Sequence, residues 1–278
     1  MKEVKKGYRV IGTVGMVWMV LLMLAMLCVP ASAYYFEDIH TVKNGTVKGG
    51  VYVGGGHGQG DSPYTQNFTV PNGTILWSRL YVHVVGGGTS AETANGWLNL
   101  TYWNGTGYTE NNQYLDFNYN GSANDETEGY YVDDSWGLYW KYWNVTDIVR
   151  SGANSVTATT SGFSCGQIGG IAMVTVYEDG GEEATYWIND GCKLVARPGF
   201  GSIGPGYVQS HTTWFNGTID TSKNATLWTI SAEGGDGDED YLYFNGHKYP
   251  TNDAADGGGS TPDSTWQAVS ILILTNGL

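Results

Sequence analysis

Charged residues are scarce in this chain of 278 residues, because only 14% are Asp, Glu, Lys or Arg against about 25% in average proteins. Basic residues are the rarest class, with 13 Lys and Arg against 27 Asp and Glu. An acidic surface repels phosphate backbones, so we expect no nucleic-acid partner. Proline is also scarce, with seven residues, and no three-residue glycine period occurs, which excludes collagen. Heptad runs are lacking too, which excludes a coiled coil.

Glycine and aromatic residues are abundant instead, with 42 Gly, 20 Tyr and 11 Trp. Short alternating runs are separated by Gly, Asn and Asp clusters, a pattern typical of antiparallel sandwiches. The clearest run is Thr74 to Val85. Its alternation places Leu76, Leu80, Val82 and Val84 on one face, and Trp77, Tyr81 and His83 on the other. We predict an all-β protein built from antiparallel β-sandwich modules.

The N-terminus has the pattern of a secretory signal peptide. Four basic residues precede an apolar run from Val10 to Val29, and the small residues Ala31-Ser32-Ala33 follow. We expect cleavage after Ala33, so that residues 1–33 are a signal peptide and the product is extracellular. An uncleaved anchor is the alternative, because 20 apolar residues just span a bilayer. After cleavage we expect no membrane association, since no second run of that length occurs.

An internal sequence repeat suggests two related modules. Asn72–Trp77 and its strand precede an aromatic strand ending at Gly105, and Asn224–Trp228 with its strand precedes another ending at Gly246. Pro and Gly cluster between the two copies. We predict a β-sandwich module at 34–196, a linker at 197–207 and a shorter β module at 208–278.

Cysteine is limited to three residues, and Cys28 lies in the predicted signal. In an exported chain, the remaining Cys165 and Cys192 most simply form one disulfide.

Glycosylation sequons are frequent, and we predict N-glycans as covalent partners. Turn chemistry is the alternative explanation, since five of the nine read Asn-Gly-Thr or Asn-Gly-Ser. The candidate acceptors are Asn44, Asn67, Asn72, Asn99, Asn104, Asn120, Asn144, Asn216 and Asn224.

Patterns for catalysis and metal binding are weak. The five histidines lie in separate segments, and paired acids such as Glu182-Glu183 lie in Gly-rich loops without apolar neighbours that would raise a pKa. We therefore predict no enzymatic activity, no catalytic residues and no cofactor. A structural calcium site at Asp236, Asp238 and Asp240 is the one exception, although the loop does not fit an EF-hand.

Aromatic residues exceed what one sandwich core needs, so we interpret part of them as self-association contacts. A sugar-binding platform is the alternative. The residues in question are Trp103, Trp136, Trp140, Trp143, Tyr130, Tyr131 and Tyr139.

Four segments carry a resemblance to a known family: Leu80–Thr89, Tyr142–Asn154, Gly170–Asp179 and Tyr186–Gly191. Together they resemble an uncharacterised family of exported surface proteins of methanogenic archaea. Within it the similarity is greatest to proteins that build the tubular, amyloid-like sheath of filamentous methanogens. The resemblance covers roughly residues 44 to 278, implies a structural role in the cell envelope, and brings no catalytic residues with it.

The functional hypothesis is a homopolymer that self-assembles through strand edges and aromatic contacts into an extracellular sheath or surface layer. We predict the C-terminal strand as the assembly contact, because it has neither charge nor proline. Its central residues are Ile271, Leu272, Ile273 and Leu274. A secreted carbohydrate-binding or adhesion module is the competing hypothesis.

Overall fold

A computed structural model describes residues 39–56, 60, 62–87, 96–115, 129–131, 138–196, 210–232, 241–248 and 266–276. These residues form antiparallel strands and contain no helix. The prediction of an all-β, sandwich-type fold is confirmed. The strands are β1 (His40–Gly56), β2 (Tyr64–Val70), β3 (Thr74–Val85), β4 (Gly96–Trp103), β5 (Tyr108–Leu115), β6 (Gly129–Tyr131), β7 (Leu138–Asn144), β8 (Gly152–Ser161), β9 (Gln167–Ala196), β10 (Ala225–Ala232), β11 (Tyr243–Phe244), β12 (His247–Lys248) and β13 (Trp266–Asn276).

Most of these strands belong to two sheets, one of four strands and one of seven. The four-stranded sheet has the order β2-β8-β4-β5, and we call it the outer sheet. The larger has the order β10-β13-β9-β3-β7-β6, with β1 paired to the other side of β9. In this larger sheet, β3 pairs with residues 167–178 of β9, and β13 pairs with residues 185–196. One very long strand therefore supports two sets of neighbours in succession.

Strands β1 and β9 form a long two-stranded ribbon, and this ribbon folds back over itself at a β-bulge. Register jumps from Lys48↔Glu183 to Gly49↔Glu178, so the residues between Glu178 and Glu183 protrude from the ribbon. Gly180 in the bulge has φ +78°, a left-handed conformation that glycine adopts without strain. The bend produces three layers. The outer sheet lies on a middle layer of β3, β7 and residues 167–178, and a third layer of residues 183–196, β13 and β10 covers the other side.

The core between the outer sheet and the middle layer follows strand alternation. Leu80, Val82 and Val84 of β3 point into it, as predicted, and are at most 1% exposed. They pack against buried side chains of β2, β4, β8 and β9: Phe68, Val70, Leu98, Leu100, Val156, Ala158, Ile168 and Met173. Leu76 is the exception in the predicted face. The register shift between Ile75 and Trp77 leaves it 46% exposed.

A second core fills the space between the middle and third layers. It contains Tyr81 and Val174 from the middle layer, and Tyr186, Ile188 and Ile273 from the third. Because this third layer exists, the second face of β3 is also buried, and Tyr81 and His83 are both 0% exposed. A two-layer sandwich would have left that face in water.

The predicted division into two modules differs from the structure. Strands β10 and β13, both assigned to a separate module at 208–278, belong to the same sheet as β9 of the predicted first module. All the described residues, from 39 to 276, fall within one compact unit. A strand pair of this size gains its core only by joining a larger sheet. The 197–207 linker and the 1–33 signal peptide lie outside the described residues.

The predicted role of the C-terminal strand as an open assembly edge is wrong. β13 pairs with β9 on one side and with β10 on the other, so both of its backbone edges are used within the chain. Ile273 and Leu274 are buried, and the side chains of Ile271 and Leu272 lie outside the described part. The uncharged composition of Ile271–Leu274 reflects an interior strand rather than a contact between subunits.

Because β13 lies inside the sheet, we expect truncation of its buried side chain Ile273 to lower the stability of the fold strongly. We expect Ile273→Ala to lower the free energy of unfolding by about 2–5 kcal/mol, because a cavity opens in a packed core. Leu76→Ala, at a 46% exposed position of β3, should cost less than about 1 kcal/mol. Urea denaturation of the two variants measures both values. Equal losses would contradict the burial of β13.

Candidate functional site

A buried ion pair joins the middle and third layers. The Arg79 guanidinium on β3 donates to the Asp190 carboxylate on β9, with Nη1 and Oδ2 2.6 Å apart. Tyr81 donates its hydroxyl to the same Oδ2 at 2.8 Å. The rings of Trp77 and Tyr142 flank the guanidinium, with centroids 5.5 and 4.2 Å from Cζ. Planar stacking and a forked donor are what arginine offers and lysine does not.

The electrostatics of this pair follow from its burial. Burial works to lower the pKa of Arg79, but the Asp190 charge and its hydrogen bond outweigh that effect and raise it. Burial, reinforced by the Asp190 charge, raises the pKa of Tyr81 well above its usual value. The cluster is therefore a charged clamp with a neutral phenol, and Asp190 is fully buried. These contacts join β3 in the middle layer to residue 190 of β9 in the third layer and so stabilise the folded ribbon.

His83 is a second buried polar group in the middle layer. Its ring lies 5.6 Å from that of Trp140, and a Cβ on Gly169 would lie 1.9 Å from its Nδ1. Neither ring nitrogen has a hydrogen-bond partner among the described residues. Burial lowers the pKa of His83 to about 3, so the ring is neutral across the physiological range. We interpret His83 as a core residue packed against glycine.

The predicted disulfide between Cys165 and Cys192 is wrong, because Cys165 is a free, exposed thiol. Its backbone N–H donates to Gly86 beyond the end of β3. Cys192 lies within β9, two positions after Asp190, and its side chain is outside the described part.

Acidic candidates do not converge on a site in the described structure. Glu182 and Glu183 are exposed in and beside the ribbon bulge. The calcium candidates Asp236, Asp238 and Asp240 lie outside the described residues. Within the described ranges, no three His, Cys, Asp or Glu side chains are grouped so as to hold a metal ion.

A shallow groove is present beside the turn that follows β7. It is lined by Gly73, Ile75, Thr146, Asp147, Val149, Arg150 and Ser151. Among the described lining residues Arg150 is the one cation, and its guanidinium donates to the backbone carbonyls of Asp147 and Val149. The turn's own backbone therefore engages this guanidinium.

Most sequons fall on exposed positions. Asn99 and Asn104 are half-buried, and Asn120 lies outside the described residues. Asn104 also donates its amide to the carbonyl of Ile148 at 2.8 Å. The exposed acceptors are Asn44, Asn67, Asn72, Asn144, Asn216 and Asn224.

The described members of the predicted aromatic set are buried or half-buried. Tyr139, Trp140 and Trp143 are buried, so they cannot form a platform for sugars. Trp103 is half-buried, and the side chains of Trp136, Tyr130 and Tyr131 lie outside the described part. Exposed aromatics occur elsewhere, at Trp97, Trp214, Tyr241 and Tyr243.

Among the described side chains, the outward face of the outer sheet carries mainly hydroxyls, amides and tryptophan. In register order, Thr65 of β2 faces Thr157 of β8, and Thr157 faces Thr101 of β4. The Thr65 and Thr157 hydroxyls are hydrogen-bonded at 2.7 Å. Trp97 on β4 shares this face and is 49% exposed. The described side chains of the face are Thr65, Asn67, Thr69, Trp97, Asn99, Thr101, Trp103, Ala153, Ser155, Thr157, Thr159 and Ser161.

Comparison with known proteins places the chain in a family. Residues 34–276 match the family of proteins of unknown function DUF3344. The chain belongs to the DUF3344 family. No curated protein and no solved structure matches it. In the described part of the chain, no helix is long and apolar enough to cross a membrane.

Sequence reasoning missed the clamp between Arg79 and Asp190. The two residues are 111 positions apart, so no local spacing connects them. The available signal was a charge inside each of two strand-like runs, since buried strands rarely tolerate an unpaired charge.

Removing one partner of the Arg79–Asp190 ion pair should destabilise the fold. We expect Asp190→Ala to lower the free energy of unfolding by about 3–5 kcal/mol, because it leaves the Arg79 charge in a desolvated site. The double variant Arg79→Met, Asp190→Leu should recover most of that loss, since no buried charge remains. Urea denaturation measures both, with the exposed Glu183→Ala as control. Strictly additive losses from the two positions would contradict a direct pair.

The burial of His83 should make the free energy of unfolding fall as the pH is lowered. Its pKa is about 3 in the folded protein against 6.5 for an ordinary histidine, so below pH 6.5 only the unfolded state binds the proton. This group should therefore cost about 1.4 kcal/mol of stability per pH unit as pH falls from 6.5 towards 3. His83→Leu should flatten the stability–pH curve, whereas exposed His247→Gln should not. Parallel curves for wild type and His83→Leu would contradict a neutral His83.

Proposed function

We propose that this protein is a structural cell-surface protein that self-assembles through strand edges into an extracellular sheath or layer. The observation that supports it is the edge of β10. Among the described residues, Ala225–Ala232 pairs with β13 on one side only, and the strand contains neither charge nor proline. Natural proteins usually protect such an edge with lysine, proline or a covering segment.

The side chains of β10 suit an intermolecular strand. Trp228 and Ile230 are half-buried and pack on the core between the middle and third layers, so the strand is fixed in place. Thr229 is exposed and β-branched, which favours extended backbone. A second copy could add to this edge by backbone hydrogen bonds alone.

A filament needs a second, different edge to receive β10. β2 is one candidate, because Tyr64–Val70 is also uncharged and pairs only with β8 in the described structure. Its backbone at Thr69 already donates to the hydroxyl of Tyr52 at 3.2 Å. One backbone donor of β2 is thus already used within the chain, and the remaining groups of its open edge would pair with β10 of another copy. Pairing of unlike edges continues from copy to copy, whereas pairing of like edges closes a dimer.

The extracellular location belongs to the proposal and rests on the signal-like N-terminus and the sequons. Exposed acceptors such as Asn44, Asn144 and Asn224 would carry glycans on the hydrated surface. Together with the net charge of −14, glycans would keep the outward faces apart and leave the strand edges to determine assembly.

A carbohydrate-binding or adhesion module is the second candidate. It is favoured by the outward face of the outer sheet, where exposed Trp97 lies among threonine and serine hydroxyls. Aromatic rings and hydroxyls on a flat sheet can bind sugar rings and chains. A glycan array on monomeric protein, with Trp97→Ala as the comparison, distinguishes this function from assembly.

Charge on the β10 edge should block assembly without unfolding the subunit. We expect Thr229→Lys to abolish sedimentable polymer, because an inserted chain would have to desolvate the ammonium group. Thr229→Val, which keeps the edge uncharged, should polymerise like wild type. Thr212→Lys places the same charge on an exposed residue of the irregular 210–219 segment and should also polymerise.

Electron microscopy and sedimentation of the purified variants measure polymer, and thermal unfolding confirms that each subunit is folded. Wild-type polymer yield from folded Thr229→Lys would eliminate β10 as the assembly edge. Loss of polymer in Thr212→Lys as well would point to a general charge effect instead.

A further inference from the structure

The segment 210–219 lies against the third layer without joining a sheet. Two buried side chains of β9 hold its backbone. Asn189 donates to the carbonyl of Trp214 at 3.0 Å, and the indole of Trp187 donates to the carbonyl of Asn216 at 2.9 Å. Thr213 adds a bond from its hydroxyl to the carbonyl of Ile39 at 2.7 Å. The segment is anchored by its neighbours despite lacking strand partners.

Alternate residues of this segment face outward. Thr212, Trp214 and Asn216 are exposed, while Thr213 and Phe215 are half-buried. The carbonyls of Trp214 and Asn216 both accept bonds from the layer beneath, as expected two positions apart in an extended chain. The side chains of Trp214 and Asn216 therefore share one face, about 7 Å apart at their Cβ atoms.

Trp214 has an unusual exposure for its residue type. It is 74% exposed, the largest value among the exposed large hydrophobic side chains described. Large aromatic rings are normally mostly buried, because each removes about 150–250 Å² of surface from water. Asn216 begins the sequon Asn216-Gly217-Thr218. An apolar ring thus lies beside a candidate attachment point for a sugar.

We propose that Asn216 carries an N-linked glycan whose first sugar ring packs on the indole of Trp214. The C–H groups on one face of a pyranose are slightly positive, and the face of an aromatic ring is negative. The fixed backbone presents the indole and the amide nitrogen together, so little conformational entropy is lost on stacking. The occupant of this surface is the chain's own glycan.

The same spacing recurs at three other sequons, and burial separates them. Trp97 precedes Asn99 by two positions on the outward face of β4 and is 49% exposed. It is the other exposed ring at this spacing among the described residues. By contrast, Tyr102 before Asn104 is buried, with its hydroxyl bonded to Asn154 at 3.0 Å.

Asn144 is the remaining sequon with an aromatic residue two positions earlier. The ring of that residue, Tyr142, is already covered by the guanidinium of Arg79, 4.2 Å from its centroid. Spacing alone therefore does not make a platform. The ring must also be exposed, which selects Trp214 and Trp97 from the four.

The inference rests on the extracellular, glycosylated state in the proposed function, but not on polymerisation. It is best tested on soluble Thr229→Lys subunits from the native cells. Glycopeptide mass spectrometry first measures occupancy at Asn216. Hydroxyl-radical footprinting then measures oxidation of Trp214 residue by residue, in this protein and in a version carrying Thr218→Val, which removes the sequon but keeps Asn216.

We expect at least threefold faster oxidation of Trp214 after Thr218→Val, and restored protection in Thr218→Ser, which keeps the sequon. Tyr243, which is 58% exposed and has no sequon beside it, should oxidise at the same rate in all three. Equal oxidation of Trp214 with and without the glycan would overturn the stacking. Protection that appears only in polymerised wild type would assign Trp214 to a contact between copies and overturn it too.

Glycan occupancy at the sequons distinguishes failure of this inference from failure of the proposed function. An unmodified Asn216 in a chain glycosylated at other sequons would overturn this inference alone. A chain without glycans at any sequon would contradict this inference and the glycosylated surface of the proposed function together.

Discussion

The bend of the β1–β9 ribbon is the constraint on which the rest of the structure depends. It places residues 183–196 over residues 167–178, so the second half of β3, residues 80–85, is buried on both faces. Polar side chains on that second face must then find partners inside the protein. Arg79 and Tyr81 find a partner in Asp190. His83 has no hydrogen-bond partner among the described residues and is buried in its neutral form instead. The same bend creates the surface to which β13 and β10 add.

The alternating pattern of Thr74–Val85 was sufficient to predict a buried strand in an antiparallel sandwich. It could not predict the third layer, because residues 167–178 and 185–196 read as two ordinary runs separated by the polar stretch Asp179–Glu183. A bulge and a loop have the same local composition. Likewise, the apolar run Ile271–Leu274 is equally consistent with an open edge and with an interior strand. Only pairing with β9 and β10, far away in sequence, separates the two.

Candidate sites were predictable where one short motif carries the chemistry. The sequon at Asn216 can be read from three residues, but the exposure of Trp214 beside it depends on Asn189 and Trp187 of another strand. Cysteine counting failed for a related reason, since it assumes that two thiols in one chain are within reach. Here Cys165 and Cys192 follow different parts of the bent sheet.

The position of β13 between β9 and β10 has a consequence for how the protein is made. Synthesis proceeds from the N-terminus, so the edge of β9 at residues 185–196 emerges about seventy residues before its partner at 266–276. Pairings this distant are slow to form, because a long loop must be ordered first. Until β13 arrives, β10 has no neighbour and the third layer is incomplete. A nascent chain therefore lacks a finished β10 edge until β13 has been made. Under the assembly that we propose, strand addition at β10 would wait for that pairing.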